Sequence, residues 1–296
     1  MADFFDMQDE IVARLANQLR TELLSTEARR SEKALSPDSF DLLLQGLAWE
    51  NKGPTSENLS QARIFFEGAL ALDPGNADAL ARMAFVDFFV ATYLFSDDGA
   101  ARLAAAETAL TKALSLAPNH AFAHYCLGVI LGVTARAEEG IAECERALAL
   151  DGNFAEAHAV IGARKLYLGR AEETEAHVQE ALRLSPRDTR AFLWLMFVGT
   201  AKIYLGRYEE AILWLRRSVE ANRNNPMSHV FLSAALAILG RPDEARTAAR
   251  AALALNPQLT VARFRGFFAH FSDNSINLAV RDHIIEGVRK AGVPEG

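Results

Sequence analysis

Cysteine is scarce in this chain: 296 residues hold two, Cys126 and Cys144. That excludes a disulfide scaffold and a cysteine-based zinc site. Basic residues are outnumbered, 31 Lys and Arg against 38 Asp and Glu, for a formal charge of -7. A nucleic-acid binder needs a basic stripe to neutralise phosphates, so that class is excluded as well. No apolar run reaches the ~18 residues of a membrane helix. The nearest approach, Phe192 to Ile203, is too short and carries Gly199, Thr200 and Lys202. The opening MADFFDMQDE is acidic, without a basic n-region or a small-residue cleavage site, so it is not a signal peptide. A soluble, cytoplasmic chain with reduced cysteines and no membrane partner is expected. Strand signals are nearly missing too: there are no alternating β-branched runs and no Asn-Gly turns. With 50% hydrophobic residues the chain is no disordered segment. Ala, Leu, Arg and Glu dominate, which reads as all-α.

What is present is a repeat. Leu168-Gly169-Arg170, Leu205-Gly206-Arg207 and Leu239-Gly240-Arg241 recur 37 and 34 residues apart. Each is followed by a short acidic link and then a small residue on a new helix: Thr174, Ala211 and Ala245. Seven residues on comes another small residue, Ala181, Ser218 or Ala252. Pro186 and Pro257 close two of these units, and Arg223 holds that slot in the third.

This cadence resembles the tetratricopeptide repeat, a unit of about 34 residues built from two antiparallel helices. Six units fit, over 39–76, 77–120, 121–154, 155–188, 192–225 and 226–259, with 189–191 outside the count. The family's small position 8 falls on Gly46, Ala84, Gly128, Gly162, Gly199 and Ser233. Position 20 falls on Ala62, Ala106, Gly140, Thr174, Ala211 and Ala245. Position 27 falls on Ala69, Ala113, Ala147, Ala181, Ser218 and Ala252. Helices cross closely at these points, and a larger side chain would force them apart. Pro74, Pro118, Pro186 and Pro257 stop the second helix of their units. Unit 1 carries about four extra residues around Lys52-Gly53-Pro54, and unit 2 about ten around Ser96-Asp97-Asp98-Gly99, counted against that repeat length. The resemblance implies an α-α superhelix, a right-handed solenoid, flanked by an N-terminal amphipathic helix and linker over 1–38 and by capping helices over 260–296.

Phe4, Ile11, Leu15, Leu19 and Leu23 form one stripe of the N-terminal helix, expected over residues 4–30. The capping pair is expected over 260–270 and 275–291, with Ile276, Leu278, Ile284, Ile285 and Val288 inward and a polar outer face. The two ends carry a second resemblance. Residues Gln8 to Ala16 and Ile284 to Glu295 are similar to segments flanking the repeats of bacterial class III adenylate/guanylate cyclases and winged-helix regulators. That likeness implies a sensory or regulatory module, either a fragment or a stand-alone relative, and it brings over no catalytic residue.

Chemistry-bearing motifs are missing. There is no glycine-rich phosphate loop, no G-x-S-x-G elbow and no H-E-x-x-H. No cofactor, metal or catalytic residue is expected, and the chain is read as non-enzymatic. His120 and His124 have the four-residue spacing of metal ligands on a helix, but the structural reading is preferred. Cys126 and Cys144, one on each helix of unit 3, read as buried small hydrophobes rather than a redox pair. Glu138-Glu139, Glu172-Glu173 and Glu209-Glu210 fall at helix starts, where they complement the dipole.

In the resembled family the first helix of each unit lines the inner surface. Carried onto this chain, the facing positions give Phe85, Phe88 and Phe89 in unit 2 and Tyr125 and Val129 in unit 3. Units 4 to 6 give Leu166 and Tyr167, then Met196, Ile203 and Tyr204, then Val230. The surface is aromatic and apolar, and it lacks the Lys, Arg and Asn clamp that holds a peptide carboxylate in chaperone-tail receptors. It suits an apolar or amphipathic helix, so the expected partner is a protein or peptide. So large an apolar surface calls for a cover. Two states remain open: closure or self-filling, for instance by the N-terminal helix, and an open ligand groove. The long unit 2, Phe85 to Phe95, is covered by its own second helix or docks a second copy. The expected function is an interaction scaffold in bacterial signalling. The alternative is a sensory domain that binds a small apolar ligand and regulates an effector such as a nucleotide cyclase.

Overall fold

The computed structural model describes Thr26, residues 37–268 and residues 275–296. The N-terminal helix expected over 4–30 thus lies outside the described residues, Thr26 apart. Among the described residues there are fourteen α-helices, one 3₁₀ turn and no strand. They pair unit by unit. Unit 1 gives α1 (Ser39–Glu50) and α2 (Ser56–Leu72), and unit 2 gives α3 (Ala77–Thr92) and α4 (Gly99–Leu116). Unit 3 gives α5 (Ala121–Val133) and α6 (Ala137–Leu150). Unit 4 gives α7 (Ala155–Tyr167), the 3₁₀ turn Ala171–Glu173 and α8 (Thr174–Leu184). Unit 5 gives α9 (Ala191–Tyr204) and α10 (Tyr208–Ala221), and unit 6 gives α11 (Pro226–Ile238) and α12 (Pro242–Leu255). The final pair is α13 (Val261–Phe268) and α14 (Ser275–Lys290). Each helix packs on its hairpin partner, and each second helix packs on the first helix of the next unit. The result is an all-α superhelix with the odd-numbered helices α3 to α11 in contact along one side.

The crossing points are as tight as the small residues require. All the residues assigned to positions 8, 20 and 27 are buried. A Cβ on Gly128 would lie 2.6 Å from both the Gly140 carbonyl oxygen and Cys144 Sγ. One on Gly199 would lie 2.5 Å from Leu215 Cγ, and one on Gly46 would enter the Phe66 ring. Where the small residue is polar, a carbonyl satisfies it: Thr174 Oγ1 donates to Gly162 O at 2.8 Å and Ser218 Oγ to Phe192 O at 2.6 Å.

The Leu-Gly-Arg turns are helix stops. Gly169, Gly206 and Gly240 have φ of 80°, 70° and 76°, a left-handed conformation that costs glycine nothing. The following arginine N–H reaches back to the third-last helical carbonyl in each, as in Arg207 N to Lys202 O at 2.8 Å. Unit 3 makes the same turn with alanine: Ala135 has φ 60°, and Arg136 N donates to Leu131 O at 3.0 Å. A Cβ in this region costs roughly 1–2 kcal/mol, part of which glycine returns as unfolded-state entropy. Ala135→Gly is therefore expected to stabilise the chain by about 0.5–1 kcal/mol. The change would appear as a higher urea midpoint at unchanged slope.

The extra residues of unit 2 lengthen both helices and a linker. After Thr92 the chain turns at Leu94 (φ 59°) and runs to Asp98 before α4 begins. This extension reaches the far end of the array. Asn256, itself buried, donates Nδ2 to Tyr93 O at 2.8 Å, and Arg263 pairs with Asp97 at 2.6 Å. Tyr93 and Leu94 are 3% and 8% exposed, and Phe95 stacks obliquely on Tyr93 at 5.8 Å. The unit 1 loop approaches unit 5 similarly, with Gly53 beside Asn222. Of the two states open at the sequence level, the described structure is the closed one.

The final pair adds a second cover. Ile284, Ile285 and Val288 are buried and Leu278 is half-buried, while the side chain of Ile276 is outside the described residues. Helix α14 lies on α9 and α11, the inner side of units 5 and 6. Gly287 permits it, since a Cβ there would sit 2.9 Å from Ala234 O. The last residues return to α13, with Val261 N donating to Pro294 O at 2.8 Å.

Candidate functional site

Closure turns the inner surface into a cavity of about 80 Å³. The first helices of units 2 to 6 build its wall, and their side chains converge because every unit presents the same helix face inward. Eight of the eleven expected recognition residues line it: Phe85, Phe88, Phe89, Tyr125, Val129, Leu166, Tyr167 and Met196. Phe85 is the hub of an aromatic cluster, with ring centroids 4.8 Å from Phe89, 5.5 Å from Phe122 and 5.8 Å from Tyr125. It is 1% exposed, whereas Phe88 is half-buried at the margin. Ile203, Tyr204 and Val230 are not part of the wall. Ile203 and Val230 are buried, at 1% and 0% exposed. Tyr204 is close enough to Arg281 of α14 to feel its charge.

Sequence reasoning missed several wall residues. Trp194, Phe197 and Phe231 fall at unit positions 3 and 6, outside the five positions carried over from the family. Tyr93 belongs to the unit 2 extension, which no repeat register covers. Two arginines were missed as well. Arg190 lies between units and forms an ion pair with Glu156. Burial is the largest influence and opposes its charge, but Glu156 with Tyr125, Asp188 and Glu50 together outweigh it and hold its pKa above the ordinary arginine value. Arg164 is different. It is 3% exposed, lies flat across Gly132, and makes no ion pair. Its Nε and Nη1 have no hydrogen-bond partner, and burial lowers its pKa. The Tyr93 hydroxyl and Arg190 Nη1 are also buried without a partner. Of the six buried polar atoms left unsatisfied among the described residues, four thus belong to side chains on this one wall.

The histidines are occupied individually. His120 caps α5, its Nδ1 accepting from Ala123 N at 3.1 Å, and its Nε2 lies 3.0 Å from Asp78. His124 places Nδ1 2.6 Å from Glu143 and Nε2 2.9 Å from Pro118 O. Among the described residues no group of three or more His, Cys, Asp and Glu is placed to hold a metal, and no helix is long and apolar enough to cross a membrane.

Cys126 and Cys144 are free and fully enclosed. Burial pushes the Cys144 thiol up to about 12 and Cys126 well above its ordinary value. Thiolate is the reactive form, so neither sulfur should react with a water-soluble disulfide reagent in the folded chain at pH 8. Both should titrate promptly in urea. A folded-state pKa above the unfolded value means that the folded chain keeps a proton the unfolded chain releases. Stability should therefore fall as pH rises above about 9, the ordinary thiol value.

Comparison with known proteins agrees with this geometry. A tetratricopeptide-repeat family model matches residues 199–260, most of unit 5 and all of unit 6. No curated protein matches the chain. Among solved structures, a monomeric mutant of IFIT1 with Gppp-AAAA is similar at TM-score 0.65 and 16% identity, covering 91% of this chain and 64% of that one. The APC/C hetero-tetramer Cut9–Hcn1 is similar at 0.56 and 16%, covering 83% and 42%. PilW, a widely conserved type IV pilus biogenesis factor, is similar at 0.50 and 20%, covering 75% and 94%. The chain thus spans well under half of the Cut9–Hcn1 chain that it resembles. The family model matches tetratricopeptide repeats over 199–260, and the same helix pairing runs through all six units, so the chain has the fold of a tetratricopeptide-repeat superhelix.

Proposed function

We propose that the chain is a non-enzymatic interaction scaffold, the regulatory module of a cytoplasmic bacterial signalling system, and that it recognises its partner through the inner aromatic surface. The convergence of Phe85, Phe88, Phe89, Tyr125, Tyr167 and Met196 from four units onto one wall carries this reading. A polypeptide with an apolar or amphipathic face is the matching partner. A helix is about 10 Å across, so it enters only when the contacts between the unit 2 extension and residues 256–263 part. The hetero-tetrameric assembly of Cut9 with Hcn1 is consistent with a scaffold role for this fold.

The closure itself favours a second reading, a sensory domain that holds a small apolar ligand. A cavity of about 80 Å³ is roughly half the size of an engineered apolar cavity known to take up benzene. The IFIT1 structure, solved with Gppp-AAAA, is consistent with ligand binding by this fold, although the acidic balance here disfavours a polyanion.

A photoreactive residue in place of Phe88 separates the two. The scaffold reading expects a polypeptide adduct, in the protein's own cells, whose cross-linked residue is apolar. Absence of any polypeptide adduct at Phe88 would count against it and leave the ligand reading.

A further inference from the structure

Most of the cavity wall is apolar, and among the described residues four buried donor atoms on it, from Arg164, Arg190 and Tyr93, have no acceptor. Arg164 carries a full charge inside the protein, with two nitrogens unpaired and no carboxylate opposite. An unpaired buried cation is costly, and the Tyr167 ring, its centroid 5.4 Å from the guanidinium carbon, returns only part of that cost. The neighbouring cation, Arg190, is already compensated by Glu156, so among the described residues the uncompensated charge of the wall is a single positive one. The Tyr93 hydroxyl, also unsatisfied on this wall, is held protonated by burial and is a donor too. Gly132 leaves room for the guanidinium to lie flat; a Cβ there would collide with Arg164 Cδ. The charge is therefore positioned in advance of any ligand.

We infer that the cavity binds a small monoanionic acid with a short aliphatic body, its carboxylate on Arg164 and its hydrocarbon among Phe89, Trp194 and Phe197. This rests on the ligand reading above and names the ligand's chemistry. A single uncompensated charge suits a carboxylate better than a phosphate dianion, and the rest of the wall suits hydrocarbon.

Acetate and propanoate, with acetamide and propanamide as neutral isosteres, test the inference by calorimetric titration of the full chain, being of a size that a cavity of about 80 Å³ admits. The acids should bind at least about tenfold more tightly than their amides, the worth of a buried charge-assisted hydrogen bond. In Arg164→Met that preference should vanish while the melting temperature stays level or rises, because an unpaired buried charge has been replaced by hydrocarbon. Arg164→Lys should retain a preference for the acids, which keeps the test decisive if the Met variant does not fold. Equal binding of acids and amides to the unaltered chain would overturn the carboxylate assignment and leave the ligand reading standing. Binding of neither class would overturn both. A preference for acids that survives in Arg164→Met, or a melting temperature several degrees lower there, would show that Arg164 serves the fold and not a ligand.

Discussion

Phe85→Ala is expected to destabilise the chain by about 3–5 kcal/mol, the range for truncating a fully buried aromatic. Phe85 is 1% exposed and touches rings from its own helix and from α5. Its removal enlarges the cavity on the side where the unit 1 loop and Arg190 approach, so little can collapse into the space. Phe88 sits one residue before Phe89 at the half-buried margin, with its ring 6.0 Å from Phe85. Phe88→Ala should cost only about 1 kcal/mol, since less area returns to water. Urea unfolding of the two variants checks the contrast. Equal losses would mean that the inner surface is not organised around Phe85.

Gly128→Ala is expected to cost about 2 kcal/mol, although helix propensity alone would favour alanine by about 1 kcal/mol. The added methyl would meet the Gly140 carbonyl oxygen and Cys144 Sγ at 2.6 Å, and the backbone atom cannot turn aside. Helices α5 and α6 would have to separate, disturbing the contact that fixes the angle of unit 3. Because angles accumulate along a solenoid, closure downstream should loosen as well. A stabilised Gly128→Ala variant would show that the small-residue positions do not set the crossing distance.

The repeat could be read from the sequence because it rests on local steric rules. Gly46, Gly128, Gly162 and Gly199 recur where helices cross, and Gly169, Gly206 and Gly240 recur where helices stop. Those requirements leave a mark at every turn of the chain. The inner wall was partly legible for the same reason: Phe85, at position 9 of unit 2, and Tyr125 and Met196, at position 5 of units 3 and 5, fall on the face that each unit turns inward. Closure was not legible, because it depends on a small rotation summed over six units and on contacts such as Asn256 with Tyr93, 163 residues apart. The cover provided by α14 was expected only as an end cap, since nothing local to Gly287 says which side of α11 it meets. Arg164 went unnoticed because an arginine near a helix end is ordinary in sequence; only the absence of a partner in three dimensions distinguishes it. The unit 2 extension read first as covered by its own second helix and otherwise as a docking or dimer surface, and its burial against the far end of the array is a property of the assembled fold.

The aromatic wall is enclosed only if the array closes upon itself. Spin labels on cysteines placed at the exposed residues Ala100 and Ala262 straddle the contact between the unit 2 extension and α13. The two native thiols, buried and protonated, should take up no label. A closed array gives one short, narrow distance in the free protein, broadened when Asn256→Ala removes the hydrogen bond to Tyr93. A broad distribution reaching long separations in the unaltered chain would contradict closure, and with it the cavity.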